Sequence, residues 1–148
     1  MGGTFDIFHV GHEKLLEEAF KAGGTVLIGL TSDKLARSMG KHHAVDPYSH
    51  RLQSLRSFLG TREWLDRAVI FPIDDVYGRA TTEGDLDAII VSEETQERVD
   101  EINRIRQKRG FKPLVIVTVK KVLAEDGLPV SSTRIRLGEI DTRGKVTL

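Results

Sequence analysis

Two histidines near the start of the chain carry side chains that can donate hydrogen bonds to phosphate oxygens. His9 and His12 stand on either side of Gly11 in the segment GGTFDIFHVGH, residues 2–12. An apolar pattern of helical period follows, and it predicts a helix whose unpaired N–H groups and positive dipole end attract an anion. The small residues that would let a ligand approach this backbone are Gly2, Gly3, Thr4 and Gly11. The segment predicts a polyphosphate site; the alternative is a glycine-rich turn whose histidines cap the helix or face solvent.

A second group of polar side chains lies near the other end of the chain. The segment VSSTRIR, residues 130–136, places three hydroxyl groups where a last helix is expected to begin, and Arg136 follows one helical turn later. Hydroxyls and a guanidinium are suitable donors for phosphate oxygens. Taken alone, the segment is more typical of an N-cap followed by a basic surface helix. No nucleophile and no Walker lysine accompanies the first segment, so the pattern favours holding a polyphosphate over forming a covalent intermediate.

The elements between these two segments alternate between strands and helices. Four short apolar runs read as buried strands, and amphipathic segments between them read as helices. The predicted strands are 25–30, 67–73, 86–92 and 112–119, and the predicted helices are 12–24, a short one from 32, 48–60, 93–110 and one within 130–140. This order predicts an α/β fold with a parallel sheet covered on both faces. Because ligands bind at the carboxyl ends of such strands, we expect both polar segments and the strand-end loops to share one rim.

Composition narrows the function classes. The 148 residues are expected to form one domain, 1–148, and 22 basic residues balance 22 acidic ones, so no overall field attracts nucleic acid or an anionic membrane. The absence of cysteine excludes disulfides, thiolate catalysis and cysteine-based zinc sites. No apolar run is long enough to span a bilayer, and no signal peptide is visible, so we expect a cytoplasmic protein.

Both polar segments resemble signatures of one superfamily. His9, Gly11 and His12 match the HxGH motif of the nucleotidyltransferases, and VSSTRIR resembles their ISSTxxR motif with Val130 in place of isoleucine. The segments IDDVYGRATTEGDLDAIIVSEET, KRGFKPLVIVTV and LAEDGLPVSSTRIRLGEID further resemble the archaeal phosphopantetheine adenylyltransferases and the corresponding domain of the eukaryotic coenzyme A synthase. The resemblance implies a Rossmann-like, doubly wound parallel sheet. It also implies transfer of AMP from ATP to 4′-phosphopantetheine with Mg²⁺, giving dephospho-coenzyme A and pyrophosphate.

The resemblance also implies roles for individual residues. His12 would bind the α- and β-phosphate region, Thr4 would touch the reacting phosphate, and Arg136 would add a charged contact. The further ATP-binding residues would be Gly2, Gly3, His9, Gly11, Ser131, Ser132 and Thr133. Ser92 and Glu93 end a predicted strand at the rim, and from that position they could bind the adenine or ribose of ATP. Bacterial relatives hold the acceptor phosphate with a lysine after the second strand, and Lys41 is the candidate here, with Lys34 as the alternative. Arg51 and Arg56 on the next helix could face the same pocket.

Several alternatives remain open at this stage. Relatives have a full strand before the glycines, whereas only Met1 precedes Gly2 here, so we expect either a late assigned start or a truncated first strand. Asp74 and Asp75 could bind Mg²⁺ or simply form a strand-end turn. The adjacent pair His42 and His43 is expected at the surface, so no protein metal site is predicted. The alternative functions are transfer to a flavin mononucleotide, nicotinamide mononucleotide or glycerol-phosphate acceptor, or nucleotide binding without turnover; the oligomeric state is left open.

Overall fold

The structure is a computed structural model that describes residues 1–40 and 44–147. Within these residues the chain alternates between five parallel strands and five α-helices, in agreement with the predicted α/β class. The strands are β1 (Gly2–Gly3), β2 (Val26–Thr31), β3 (Ala68–Ile73), β4 (Ala88–Ser92) and β5 (Val115–Val119). The helices are α1 (Val10–Ala22), α2 (Asp33–Ser38), α3 (Tyr48–Thr61), α4 (Gln96–Lys108) and α5 (Ser132–Arg136).

The described strands pair in two groups, whereas the sequence predicted one sheet. In the first group β2 lies between β1 and β3, with Gly2 opposite Gly29 and Ala68 opposite Val26. In the second group β4 pairs with β5, with Ala88 opposite Val115. All pairings are parallel, as predicted. The division follows from the shortness of β1, whose ladder of two residues reaches β2 but forms no ladder with β4 among the described residues.

One hydrophobic core connects the two groups of strands. Helix α1 packs against both β4 and β5, and its Leu16, Ala19 and Phe20 are buried. These side chains share a cluster with residues of both strand groups, namely Val26, Ile28, Leu30, Ile90 and Val119. Helix α3 closes the other side of this cluster with Leu55 and Leu59. Burial of these apolar faces therefore fixes the positions of α1 and α3, which flank the opening segment.

The helix ends explain two differences from the sequence prediction. Helix α1 begins at Val10, two residues earlier than predicted, because the side chain of His9 serves as its N-cap. The last helix lies within the predicted range 130–140, but it is short, because α5 extends only over Ser132–Arg136. Gly138 takes a φ of +76°, a conformation that ends helices, and the chain then turns back so that Ile140 pairs with Val146. In the described part of the chain, no helix has the length and apolar character needed to cross a membrane.

Candidate active site

The segment between β1 and α1 is held in a strained backbone conformation. Phe5 and Ile7 have φ values of +52° and +42°. Positive φ is energetically unfavourable for a residue that has a Cβ atom, and it is unusual for a β-branched residue such as isoleucine. The ring of Phe5 is nevertheless 3% exposed, so packing compensates part of this strain. Strained backbone of this kind concentrates at functional sites, where the surroundings hold it in place. The strained backbone therefore makes residues 4–9 candidates for a functional role beyond connecting β1 to α1.

The two histidines cap α1 reciprocally. The Gly11 N–H donates to His9 Nδ1 at 3.0 Å, and the His9 N–H donates to His12 Nδ1 at 3.1 Å. The two rings stack with their centroids 3.7 Å apart. A side chain at residue 11 would not fit, because a Cβ there would lie 2.8 Å from the His9 ring. The alternative interpretation, in which the histidines cap the helix, is thus confirmed. Because capping uses Nδ1 of each ring, the predicted contact with phosphate would have to come from Nε2.

Capping determines which nitrogen carries the proton in each neutral ring. Because Nδ1 of both His9 and His12 accepts a backbone hydrogen bond, the proton of each neutral imidazole lies on Nε2. His9 is 7% exposed, and burial lowers its pKa to about 4, so this ring is neutral near pH 7. Both rings then present Nε2–H as a hydrogen-bond donor. Such a neutral donor suits contact with a phosphate oxygen without the cost of burying a charge.

The first backbone N–H groups of α1 are already used inside the protein. The Val10 N–H donates to the Thr142 carbonyl at 3.0 Å, and the Gly11 N–H is taken by His9. The expectation that unpaired N–H groups at this helix start form the anion site is therefore wrong for these two residues. The chain supplies its own acceptors, an imidazole and a carbonyl of the C-terminal segment, so contacts to a phosphate must come mainly from side chains.

Asp6 joins the two predicted signatures in space. The Ser132 hydroxyl donates to the Asp6 carbonyl oxygen, and Arg136 donates to both carboxylate oxygens of Asp6, at 3.0 and 3.2 Å. Val10, between the two histidines, also packs against the same cluster as Ile135. The opening segment and VSSTRIR, which lie more than 120 residues apart in the chain, thus form one site. Asp6 itself is 2% exposed.

The residues of the second signature have distinct places in this site. Ser131 is the N-cap of α5, and its hydroxyl accepts the Arg134 N–H, so the predicted cap is confirmed. Thr133 is exposed beside it. Arg136 also donates to the Asp46 carboxylate at 3.0 Å, and its hydrogen bond to Asp6 raises its pKa. The side chain of Arg136 remains 26% exposed, so a phosphate could reach this guanidinium from the solvent side.

Thr4 lies at the carboxyl end of β1, beside the end of β2. Its hydroxyl donates to the Thr31 hydroxyl at 3.4 Å, and both threonine carbonyls accept from the buried guanidinium of Arg51. Gly2 and Gly3 lie directly below in β1, paired with β2. At the next strand along, the Ser32 N–H donates to the Ile73 carbonyl, so the ends of β1, β2 and β3 form a continuous rim.

The remaining predicted contacts lie on other elements or outside the described residues. Lys41, His42 and His43 lie outside the described residues, and Lys34 is exposed on α2. Ser92 ends β4 and accepts the Thr95 hydroxyl at its carbonyl, while Glu93 is exposed in the following turn. The role of Ser92 and Glu93 as nucleotide contacts stays a prediction.

The strand-end aspartates form a turn. The Asp75 carboxylate accepts the N–H groups of Tyr77 and Gly78, the pattern of an Asx turn. Gly78 has a φ of +54° and lies against Ile73, so a turn requirement accounts for this glycine. Among the residues that the structure describes, no three histidine or acidic side chains converge on a possible metal ion.

Sequence reasoning missed three residues that build the site. Asp6 lies inside the quoted motif, but its pairing with Arg136 depends on the fold. The sequence indicates Arg51 only as a pocket residue, whereas it is 1% exposed and donates four hydrogen bonds inside the protein; Arg56 is exposed on the same helix. Asp46 carries no motif at all. An apolar helix face that includes an arginine, as α3 does at Arg51, was the one available signal.

Comparison with known proteins identifies the family of this arrangement. The family model described as cytidylyltransferase-like matches residues 1–138. A phosphopantetheine adenylyltransferase of Methanothermobacter thermautotrophicus is 47% identical over 99% of this chain and 87% of its own length. The enzyme of the same name from Methanopyrus kandleri is 44% identical over 95% of this chain and 88% of its own length. The chain belongs to the archaeal phosphopantetheine adenylyltransferase family.

A solved structure agrees with the fold of this phosphopantetheine adenylyltransferase family member. The crystal structure of a protein of unknown function from Archaeoglobus fulgidus superposes with a TM-score of 0.69 at 33% identity, covering 81% of this chain and 95% of the other. The nucleotidyltransferase fold implied by the two signatures is therefore confirmed. The relatives are named as adenylyltransferases, so this protein is a nucleotidyltransferase enzyme.

Proposed function

We propose that this protein transfers AMP from ATP to 4′-phosphopantetheine, giving dephospho-coenzyme A and pyrophosphate. The observation that carries the proposal is the joining of the two signatures by Asp6, which gathers imidazole, hydroxyl and guanidinium donors at one rim. Relatives that are 44–47% identical over nearly the whole chain bear the name of this activity. The substrates are then small molecules, and the proposed setting is the cytoplasm, with neither nucleic acid nor membrane as a partner.

The proposed reaction is a single in-line displacement at the α-phosphorus of ATP. An oxygen of the acceptor's phosphate forms a bond to this phosphorus, and the bond from the phosphorus to the oxygen bridging the α- and β-phosphates breaks. The electron pair leaves with pyrophosphate. A phosphate monoester is already an adequate nucleophile near neutral pH, so the protein must mainly position the reactants and stabilise the charge that develops.

The side chains have complementary parts in this displacement. His12 donates from Nε2 to the phosphate region where charge accumulates on the leaving group, a contact of the kind that stabilises transition states most strongly. His9 holds His12 in place by stacking and supports the nucleotide. Thr4, at the end of β1, would contact the reacting phosphate. The hydroxyls of Ser131 and Thr133 and the exposed part of Arg136 would hold the β- and γ-phosphates, whereas Ser132 holds the opening segment through Asp6.

Magnesium is part of the proposal as an ion that arrives with ATP. In nucleotide sites Mg²⁺ keeps several waters and binds chiefly to substrate phosphates with one or two carboxylates. The described residues fit an ion that arrives with ATP, because the rim gathers imidazole, hydroxyl and guanidinium donors for the phosphates that would carry the ion. When bound, the ion would neutralise part of the charge on the phosphates. Its role is separate from that of the protein donors described above.

Pyrophosphate release tests the proposal. ATP and Mg²⁺ would be incubated with the protein and, separately, with 4′-phosphopantetheine, flavin mononucleotide, nicotinamide mononucleotide or glycerol 3-phosphate. We expect release only with 4′-phosphopantetheine, together with a product of the mass of dephospho-coenzyme A. Release with a different acceptor would retain the chemistry but refute the substrate. A folded protein that releases pyrophosphate with none of the four would refute the activity.

A further inference from the structure

A buried arginine outside both signatures ties several segments of the rim together. The guanidinium of Arg51, on the inner face of α3, is 1% exposed. Its Nη1 donates to the Thr4 carbonyl at 2.9 Å and to the Thr31 carbonyl at 2.7 Å. Its Nε donates to the Asp46 carbonyl at 2.7 Å, and its Nη2 to the Asp33 carboxylate at 3.1 Å. One side chain therefore connects the ends of two strands with the start of α2 and the chain just before α3.

Two partners of Arg51, Asp33 and Asp46, lie in the connection from β2 to α3. Asp33 precedes Lys34, one of the two candidate lysines for the acceptor phosphate, and it also accepts the Tyr48 N–H at 2.9 Å. Asp46 lies between α2 and α3, receives a hydrogen bond from Arg136 and donates its own N–H to Asp6. By contrast, no described hydrogen bond links Arg51 to either histidine. The guanidinium thus supports Thr4 and the connection between α2 and α3 more directly than the nucleotide-binding histidines.

The geometry of Arg51 requires its particular chemistry. The planar guanidinium supplies donors in fixed directions, and four acceptors from four chain segments use them together. A lysine has one nitrogen on a flexible stem, so it cannot reach all four acceptors at once. Replacing the guanidinium would leave carbonyl oxygens of Thr4 and Thr31 without donors in a buried place. The rim at the ends of β1 and β2 would then relax.

We propose that Arg51 is a positioning residue for the acceptor substrate, which it serves by fixing Thr4, Asp33 and Asp46 relative to one another. The inference rests on the proposed transfer to 4′-phosphopantetheine. Arg51 would contact no reacting atom itself. It would act on the acceptor through the positions of Thr4 and of the segment 44–47. A loss of its hydrogen bonds should therefore impair use of the acceptor more than binding of ATP.

A second buried arginine offers a matched control. Arg106, on α4, is 0% exposed and donates to the carbonyls of Ala80, Glu83, Gly84 and Lys112. Its environment is like that of Arg51, but none of its partners is a predicted site residue. Arg106→Lys should destabilise the fold in a comparable way without disturbing the rim. Comparison of the two variants separates a positioning role from a general need for a buried arginine.

The experiment compares Arg51→Lys, Arg106→Lys and wild type in steady-state pyrophosphate release, well below the unfolding temperature of each. For Arg51→Lys we expect kcat/KM for 4′-phosphopantetheine to fall about 10–100-fold, with a raised acceptor KM and a lowered kcat. The KM for ATP should change by less than about threefold, and Arg106→Lys should keep all three constants near wild type. Amide hydrogen exchange should become faster at Asp46 and Tyr48 in Arg51→Lys only.

The variant Asp33→Ala keeps the inference testable if Arg51→Lys does not fold. Asp33 has a side chain that is 48% exposed, so water can take its place beside Arg51, and we expect Asp33→Ala to fold although it removes the partner of Arg51 Nη2 and of the Tyr48 N–H. We expect a raised acceptor KM and faster exchange at Tyr48. Equal acceptor kinetics and equal exchange in the Arg51, Asp33 and Arg106 variants would overturn the positioning role. If wild type uses another acceptor, the proposed function fails, and the same kinetic comparison is made with that acceptor. If wild type uses no acceptor, amide exchange at Asp46 and Tyr48 decides whether Arg51 holds this segment in place.

Discussion

At the scale of single residues, His12 combines a structural and a chemical task on one ring. Its Nδ1 accepts the His9 N–H and helps begin α1, which leaves the proton of the neutral ring on Nε2. We predict that His12→Ala lowers turnover by about 10²–10³-fold, the usual cost of removing one preorganised donor to developing charge. The lost cap should also reduce the free energy of unfolding by about 1 kcal/mol. Pyrophosphate release and urea unfolding measure the two effects.

A second substitution at the same position separates these tasks. In His12→Asn the amide oxygen can take the place of Nδ1 and accept the His9 N–H, but nothing takes the place of Nε2. This variant should therefore retain most of the stability that His12→Ala loses and yet be as inactive. Near-normal turnover of folded His12→Asn would refute the role of Nε2 and leave capping as the only task of the residue.

His9 gives the protein a pH-dependent stability. Burial lowers the pKa of His9 to about 4, against an ordinary value near 6.5, so the unfolded chain takes up a proton between these pH values while the folded chain does not. Stability is therefore lost as the pH falls from about 6.5 to about 4, by about 3 kcal/mol in total. We predict that His9→Asn, which keeps an N-cap oxygen for the Gly11 N–H, has a smaller slope in this range. Urea unfolding at several pH values measures it, and parallel slopes would contradict the assignment.

At the scale of elements, the opening segment and α5 depend on each other through an ion pair whose carboxylate is buried. Asp6 is 2% exposed and contacts Arg136 with both oxygens, so removing one partner leaves the other poorly compensated. We predict a coupling energy of about 1–3 kcal/mol in a double-mutant cycle of Asp6→Asn and Arg136→Met, measured by urea unfolding. The exposed pair of Arg62 and Glu17, at 2.8 Å, is the control and should couple by less than about 1 kcal/mol. Equal coupling in both pairs would mean that Asp6 does not join the elements.

The elements also show what the sequence could indicate and what it could not. Apolar periodicity predicted all the long helices and the strands β2 to β5, because each buries one face or one run of side chains. It left open whether the histidines cap α1 or bind phosphate, since histidine is no usual N-cap residue, and so it predicted unpaired N–H groups at Val10 and Gly11, whose N–H groups are used. The motifs located His12, Ser131 and Arg136, but the partners of Arg136 and Arg51 are set by tertiary contacts between distant segments. Such contacts have no local pattern.

At the scale of the whole molecule, two groups of strands share a single core. Leu16 and Phe20 of α1 lie in the same buried cluster as Val26 of β2, Ile90 of β4 and Val119 of β5. Each signature is connected to a different group of strands, since the histidine segment follows β1 and VSSTRIR comes after β5. Hence the site is assembled only if both groups of strands are folded against α1. We therefore expect the described residues to unfold as one cooperative unit.

A core substitution in one strand group should therefore weaken the other. Val119 in β5 is 7% exposed, and Val119→Ala should lower the free energy of unfolding by about 2 kcal/mol. Trp64, the single tryptophan, stacks on Phe20 with centroids 4.6 Å apart and thus reports on the side of the core next to β2 and β3. We predict that its fluorescence midpoint in urea shifts together with the circular dichroism midpoint, and by the same amount. If the fluorescence midpoint stays at the wild-type value while the dichroism midpoint moves, the strand groups unfold separately. The site that both groups assemble could then be lost while the part of the core around Trp64 persists.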